Sequence, residues 1–310
     1  MIQYHPIIQT IEVPFNYHVD VLRLDKLHET ISGNKWFKLK HNLQKAKDEN
    51  IKTIITFGGA YSNHIAATAS ACKLLGFNCI GIIRGEETQK LNYTLLKAKE
   101  DGMQLEFVSR EFYSKKTEQI FKDYLQNKYG NHYLIPEGGN NLEGILGCTE
   151  IVQPQWDYDY ILCACGTATT YAGIISSVKN NIVVGISVLK GENKLPNDVS
   201  KILKEISPKV NFIINGDEEL SNEMISSNCI LSNYSFNGYA NFYQALIDFK
   251  IDFENKYTIL LDYVYTNKLF FAAFDLMTRH KFKKNAKILI LHSGGLQGNK
   301  GFEERFNLNI

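Results

Sequence analysis

Short runs of β-branched and aliphatic residues alternate with longer stretches of helical periodicity along most of the chain, and that beat restricts the fold more than any other feature. Thr53-Ile54-Ile55-Thr56-Phe57 reads as a strand stopped by Gly58-Gly59, and Ser62 to Leu75 as an Ala-rich helix. Strands over Asn78 to Ile83, Gln104 to Val108 and His132 to Ile135 alternate with helices over Thr88 to Asp101 and Lys116 to Tyr129. The second half repeats the pattern. Helices are expected over Leu142 to Val152, Thr170 to Val178, Pro196 to Ile206, Asn241 to Glu254 and Lys268 to Phe282. Strands are expected over Tyr158 to Cys165, Ile182 to Val188, Val210 to Ile214 and Lys287 to Leu291, with one more at Val19 to Leu24. The opening segment and Ser226 to Tyr239 read as irregular. Strands separated by helices pair in parallel, and parallel sheets are covered on both faces. The expected class is α/β, with two lobes sharing a cleft: residues 1–42 plus 138–310 in the larger, 43–137 in the smaller.

A chain of 310 residues with a net charge of +1 offers no electrostatic footprint for nucleic acid or a membrane surface. No apolar run reaches spanning length, and Met1-Ile2-Gln3-Tyr4-His5-Pro6 lacks the basic-then-apolar pattern of a signal peptide, so a cytoplasmic location is expected. The six cysteines sit inside apolar patterns and read as reduced core thiols. Cys163-Ala164-Cys165 has no second pair at zinc spacing, and strand alternation puts both thiols on one side.

Ligands of open α/β sheets bind where strands end and helices begin, and polar turns recur at such points here. Ser32-Gly33-Asn34 delivers Lys35 to a helix whose apolar face is Trp36, Leu39, Leu43 and Ala46. A lysine held against a buried face loses its proton more readily, and the neutral amine is what a Schiff base with an aldehyde requires. Lys38 and Lys40 read as solvated. Gly58-Gly59-Ala60-Tyr61-Ser62-Asn63-His64 opens a helix and offers free N–H groups to a carboxylate or phosphate. Cys165-Gly166-Thr167-Ala168-Thr169-Thr170 is neither a P-loop nor a dinucleotide fingerprint, and its hydroxyls suit a phosphate monoester. Phe236-Asn237-Gly238-Tyr239-Ala240, Asp262-Tyr263-Val264-Tyr265-Thr266-Asn267-Lys268 and His292-Ser293-Gly294-Gly295-Leu296 complete the set.

In this order the motifs resemble the pyridoxal-phosphate enzymes of the 1-aminocyclopropane-1-carboxylate (ACC) deaminase and D-cysteine desulfhydrase group, from about Leu22 to Gly301. The resemblance implies the tryptophan-synthase-β-like fold, called fold type II, with pyridoxal 5′-phosphate as cofactor, a small amino acid as substrate and a homodimer as the assembly. It implies that Lys35 forms the covalent link to the cofactor's aldehyde and later moves the Cα proton. Asn63 would bond the cofactor's 3-hydroxyl, and Ser62 and His64 would hold the substrate carboxylate, Ser62 also assisting proton traffic. Thr167, Ala168, Thr169 and Thr170 would cradle the phosphate. Tyr265 and Tyr239 match the family's two active-site tyrosines, and Ser293 would face the pyridine nitrogen.

The deaminases of that group carry a glutamate after the tyrosine, beside the pyridine nitrogen, where this chain has Thr266. They carry an apolar residue, and the desulfhydrases a hydroxyl, at Ser293. A carboxylate keeps the ring nitrogen protonated and the ring a strong electron sink; a hydroxyl does not. Opening a cyclopropane needs that sink, whereas loss of thiolate from Cβ asks less of it. The expected activity is therefore α,β-elimination on D-cysteine. ACC deamination is the rival, and a non-catalytic α/β protein binding a phosphometabolite the remoter one. Tyr61 in place of the group's frequent glutamine, Phe37 in place of a basic residue and the missing glycine near Thr266-Asn267 depart from the pattern on the substrate side.

Overall fold

A computed structural model of the protein describes residues 2–87, 90–189, 195, 199, 201–204 and 224–308. Its strands form two sheets. The six-stranded sheet runs β1 (Ile8–Ile11), β2 (His18–Arg23), β10 (Lys287–His292), β7 (Tyr160–Cys165), β8 (Ile182–Ser187) and β9 (Cys229–Leu231), parallel throughout except for β1. The four-stranded sheet, β5 (Met103–Val108), β4 (Asn78–Arg84), β3 (Thr53–Gly58) and β6 (Tyr133–Ile135), is wholly parallel.

Both faces of the larger sheet are buried at its centre, which is why β7 is apolar at every position rather than at alternate ones. Ile288 and Ile290 of β10 enter one core, with Tyr160, Leu162 and Ala164 of β7. Leu289 and Leu291 enter the other, with Ile161, Cys163 and Cys165, so the two thiols do share a face. All six cysteines are free and buried.

Helix α1 (Asn34–Asp48) lies between the sheets. Trp36, Leu39, Leu43 and Ala46 pack into the core of the smaller sheet, and Phe37 into that of the larger. Its start is fixed by Gly33, whose φ of +72° suits glycine; a Cβ there would stand 1.8 Å from the Ser293 carbonyl oxygen. The Asn34 N–H donates to that carbonyl at 3.3 Å. The turn before α1 is thus locked onto the turn after β10.

Several element boundaries differ from expectation. β1 and β9 are short and carry no alternating pattern to reveal them. The helix expected from Thr88 starts at Tyr93, capped by Asn92, whose Oδ1 accepts from Leu95 N at 3.0 Å. The stretch read as one helix from Lys116 starts at Gln119, behind a separate short helix over Arg110–Ser114. The one expected to reach Val152 stops at Cys148. The expected strand at Val210 to Ile214 lies outside the described residues, as does much of Pro196 to Ile206.

Candidate functional site

A cavity of about 620 Å³ opens between the two sheets, within the range of small-molecule sites. Its walls are mostly turns that follow the C-terminal ends of parallel strands: 59–64 after β3, Arg84 at the end of β4, Glu137 and Gly138 after β6, Gly166, Thr167 and Thr170 after β7, and 293–294 after β10. Lys35, Ser62, Asn63, His64, Thr167, Thr170, Tyr239, Tyr265 and Ser293 all border it. Ala168 and Thr169 do not; they are buried at the start of α7 (Thr169–Ser177), and Thr169 Oγ1 donates to Asn140 Oδ1 at 2.9 Å.

The lysine turn and the threonine turn are joined by one side chain. Lys35 Nζ donates to Asn34 Oδ1 at 2.7 Å, and Asn34 Nδ2 donates to Thr170 Oγ1 at 2.8 Å. Burial, seconded by the like charge of Lys38, pulls the Lys35 ammonium down from 10.5 to about 7. About half of the amine is therefore unprotonated near neutral pH.

Lys38 corrects the expectation of a solvated residue. It is 4% exposed, its Nζ donates to Thr167 Oγ1 at 3.1 Å, and burial lowers its pKa. No carboxylate pairs with it among the described residues. An unpaired buried ammonium is costly, and an anion is what it lacks. Lys40 is ion-paired with Glu150 rather than free.

Ser62 caps α2 (Asn63–Leu75), its Oγ accepting from Ile65 N at 3.4 Å. The first N–H groups of that helix have no intrahelical partner. Asn63 Oδ1 accepts from Gln297 Nε2 at 3.0 Å, which steers its Nδ2 toward Gly295. Tyr265 precedes helix α9 (Thr266–Thr278), and burial pushes its phenol well up, so it stays protonated. Tyr239 is exposed and reaches over the mouth, its hydroxyl donating to the Tyr61 carbonyl at 3.3 Å. Thr266 does not reach the cavity: it is fully buried, and its hydroxyl donates to Asp262 Oδ1 at 2.7 Å while accepting from Asp262 N at 2.7 Å. Its side chain follows the local i, i+4 bond rather than the cavity.

Asn34, Lys38, Arg84 and Glu137 are cavity residues to which the sequence reading assigned no role at the site. Lys38 was within reach, because a residue three positions beyond Lys35 shares its helix face. Arg84 and Glu137 also had a signal, each standing at or just past the end of a parallel strand. Among the described residues, no group of His, Cys, Asp and Glu is arranged to hold a metal, and no helix is long and apolar enough to cross a membrane.

Two parallel-rich sheets, joined by the first helix and sharing a cavity at their strand ends, make this a fold type II pyridoxal-phosphate enzyme. More particularly, the chain belongs to the pyridoxal-phosphate dependent enzyme family, whose sequence profile it matches over residues 16–294, and within it to the ACC deaminase/D-cysteine desulfhydrase group. A Thermotoga maritima relative, whose name provisionally assigns it ACC deaminase activity, is 30% identical over 300 residues, spanning 92% of this chain and 90% of that protein. The mitochondrial bifunctional D-cysteine desulfhydrase/ACC deaminase of Arabidopsis thaliana is 29% identical over 293 residues, spanning 86% and 70%. Among solved structures, an ACC deaminase homologue matches with a TM-score of 0.78 at 25% identity, over 99% of this chain and 94% of that one.

The cavity suits the cofactor on its own chemistry. An amine of lowered basicity answers an aldehyde, and a buried lysine without an anion, flanked by Thr167 and Thr170 at the N-terminus of α7, answers a phosphate.

Proposed function

We propose that this lyase catalyses α,β-elimination on a small amino acid with a leaving group on Cβ, D-cysteine foremost. Loss of the Cα proton and of thiolate, followed by addition of water, gives pyruvate, ammonia and sulfide. The observation that carries the reading is a hydroxyl, Ser293, on the cavity wall, with Thr266 turned away onto Asp262. The carboxylate on that wall, Glu137, is paired with Lys116 at 3.4 Å and sits beside Gly138, which packs on Thr167. Its charge is thus offset by Lys116.

When bound, pyridoxal phosphate supplies an electron sink for the carbanion at Cα. The protein supplies the rest. Lys35, neutral above about pH 7, takes the Cα proton on Nζ as general base. Asn34 orients that amine and, through Thr170, ties it to the phosphate-binding turn. Lys38 Nζ and the turn of Thr167, Ala168, Thr169 and Thr170 hold the phosphate with one charge, hydroxyl donors and free N–H groups. Ser62, Asn63 and His64 receive the substrate carboxylate at the α2 N-terminus, where the helix dipole favours an anion. Asn63 Nδ2 serves the cofactor's 3-hydroxyl, and Ser293 its ring nitrogen. Tyr265 stands as a protonated phenol by the leaving group, and Tyr239 bridges to Tyr61 to exclude water. We also take residues 1–42 plus 138–310 and residues 43–137 to act as two lobes that close on the substrate.

The names of the relatives keep ACC deamination as the second reading. Purified enzyme assayed in parallel should form pyruvate and sulfide from D-cysteine with a higher kcat/KM than it forms 2-oxobutanoate from ACC. The reverse order would replace the reading with the deaminase.

A further inference from the structure

Proton accounting around His64 gives that residue a role its sequence position does not suggest. Thr56 of β3 is fully buried, and its hydroxyl donates to the Ile135 carbonyl of β6 at 2.9 Å. A carbonyl can only accept, so the single hydroxyl proton is committed to that bond. The same oxygen lies 2.9 Å from His64 Nε2. With its proton committed, the oxygen must accept there, and the imidazole must carry its hydrogen on Nε2. A second ring proton is disfavoured: His64 is 2% exposed, and burial together with the charges of Lys35 and Lys38 drives its pKa down to about 3. Nδ1 is thus a bare lone pair. It is buried, it has no hydrogen-bond partner, and it belongs to a side chain that borders the cavity.

We infer that His64 is a fixed hydrogen-bond acceptor in the substrate cavity, locked in its Nε2–H tautomer by Thr56 and Ile135, and that it takes an S–H or N–H donor of the bound amino acid rather than its carboxylate. A carboxylate against Nδ1 would set two acceptors face to face; a thiol or ammonium satisfies the orphaned atom. The carboxylate falls to the backbone N–H groups of the first turn of α2, that of His64 among them. With so low a basicity the ring orients a donor and does not deprotonate it. Thr56 is then a positioning residue two bonds removed from the ligand.

The inference deepens the elimination reading and rests on it for the identity of the ligand, but the tautomer can be read without any substrate. In protein labelled with 15N histidine, one ring is expected with an unprotonated Nδ1 and a protonated Nε2, showing no titration from about pH 5 to about pH 9. Its signal should vanish in His64→Phe. A protonated Nδ1, or a titrating ring, would overturn the inference whatever the substrate. Thr56→Val keeps the shape and removes the acceptor, so it should mix the tautomers and raise KM for D-cysteine about tenfold with a smaller change in kcat. Thr56→Ser should restore both signal and KM.

β-Chloro-D-alanine separates the two donor sources, since it keeps the ammonium and lacks the thiol. A rise in KM in Thr56→Val confined to D-cysteine assigns the thiol; an equal rise for both assigns the ammonium; no rise for either refutes the ligand role. If wild-type enzyme processes neither compound, the elimination reading has failed instead, and the nitrogen spectrum still decides the tautomer.

Discussion

The ammonium of Lys268 donates to the carbonyl of Gly238 at 2.7 Å, one residue before the tyrosine that reaches over the cavity. The same Nζ donates to Ser235 O at 2.7 Å and Val188 O at 2.9 Å, so all three of its protons hold backbone. The turn carrying Tyr239 is therefore pinned to α9 and to the end of β8. Lys268→Met should leave three carbonyls without that donor and destabilise the protein by about 1–3 kcal/mol. It should also speed amide exchange over residues 233–240 and raise KM more than it lowers kcat. Unchanged exchange there would mean that the turn is held by other contacts.

Lys35 sets a pH dependence with a definite sign. Its pKa falls from 10.5 to about 7, so the reactive neutral amine is the minor form below that pH and the major form above it. Capture of pyridoxal phosphate by cofactor-free protein, followed by absorbance, should rise about tenfold per pH unit below about 7 and level off above it. An ordinary lysine would keep rising past pH 9 or so. Borohydride should fix the cofactor in wild type and leave Lys35→Ala colourless and inactive.

Lys38 gives opposite effects on two states of one variant. In cofactor-free protein its ammonium is buried with no carboxylate beside it among the described residues, so Lys38→Met should raise the thermal midpoint. In the loaded enzyme the same change removes a charged donor to the phosphate and should weaken cofactor binding by about 1.5–3 kcal/mol, or about 10- to 100-fold. Scanning calorimetry with and without pyridoxal phosphate reads both; a lower midpoint in the cofactor-free variant would contradict the account of Lys38 as an unpaired charge.

Gly33→Ala asks whether the lock between the first helix and the last strand matters. The new methyl would start 1.8 Å from the Ser293 carbonyl oxygen, at a φ of +72°. A loss of about 2–4 kcal/mol in urea unfolding is expected, with less cofactor retained on purification. Gly76→Ala should cost less on both counts: its φ of +76° and ψ of 29° lie in the left-handed region that other residues can enter, whereas Gly33 (φ +72°, ψ −152°) lies where essentially only glycine does, and nothing stands within 4 Å of the added methyl at Gly76.

Local pattern carried a good part of this site. The apolar stripe Trp36, Leu39, Leu43, Ala46 is a property of helical spacing and packs as one face. The turns after β3, β7 and β10 announce themselves by Gly-Gly and Thr-Thr pairs, and they do line the cavity. What the sequence withheld depends on partners far along the chain. Lys38 looks solvated until Thr167 covers it. The state of His64 follows from Thr56 and Ile135 together, a relation no local window contains. Thr266 is the reverse case: it stands where the resemblance has a cofactor-facing glutamate, and its own side chain obeys a nearer bond, to Asp262.

Strand β2, which leads toward the Lys35 turn, is flanked along its length by β10, with His18 opposite Lys287 and Arg23 opposite His292. Polypeptides emerge from the ribosome N-terminus first. The reactive amine is thus translated long before the strand and turn that clamp its neighbour Gly33. Nascent chains stalled before Lys287 leaves the exit tunnel should carry no borohydride-fixable vitamin, and chains stalled well after it should.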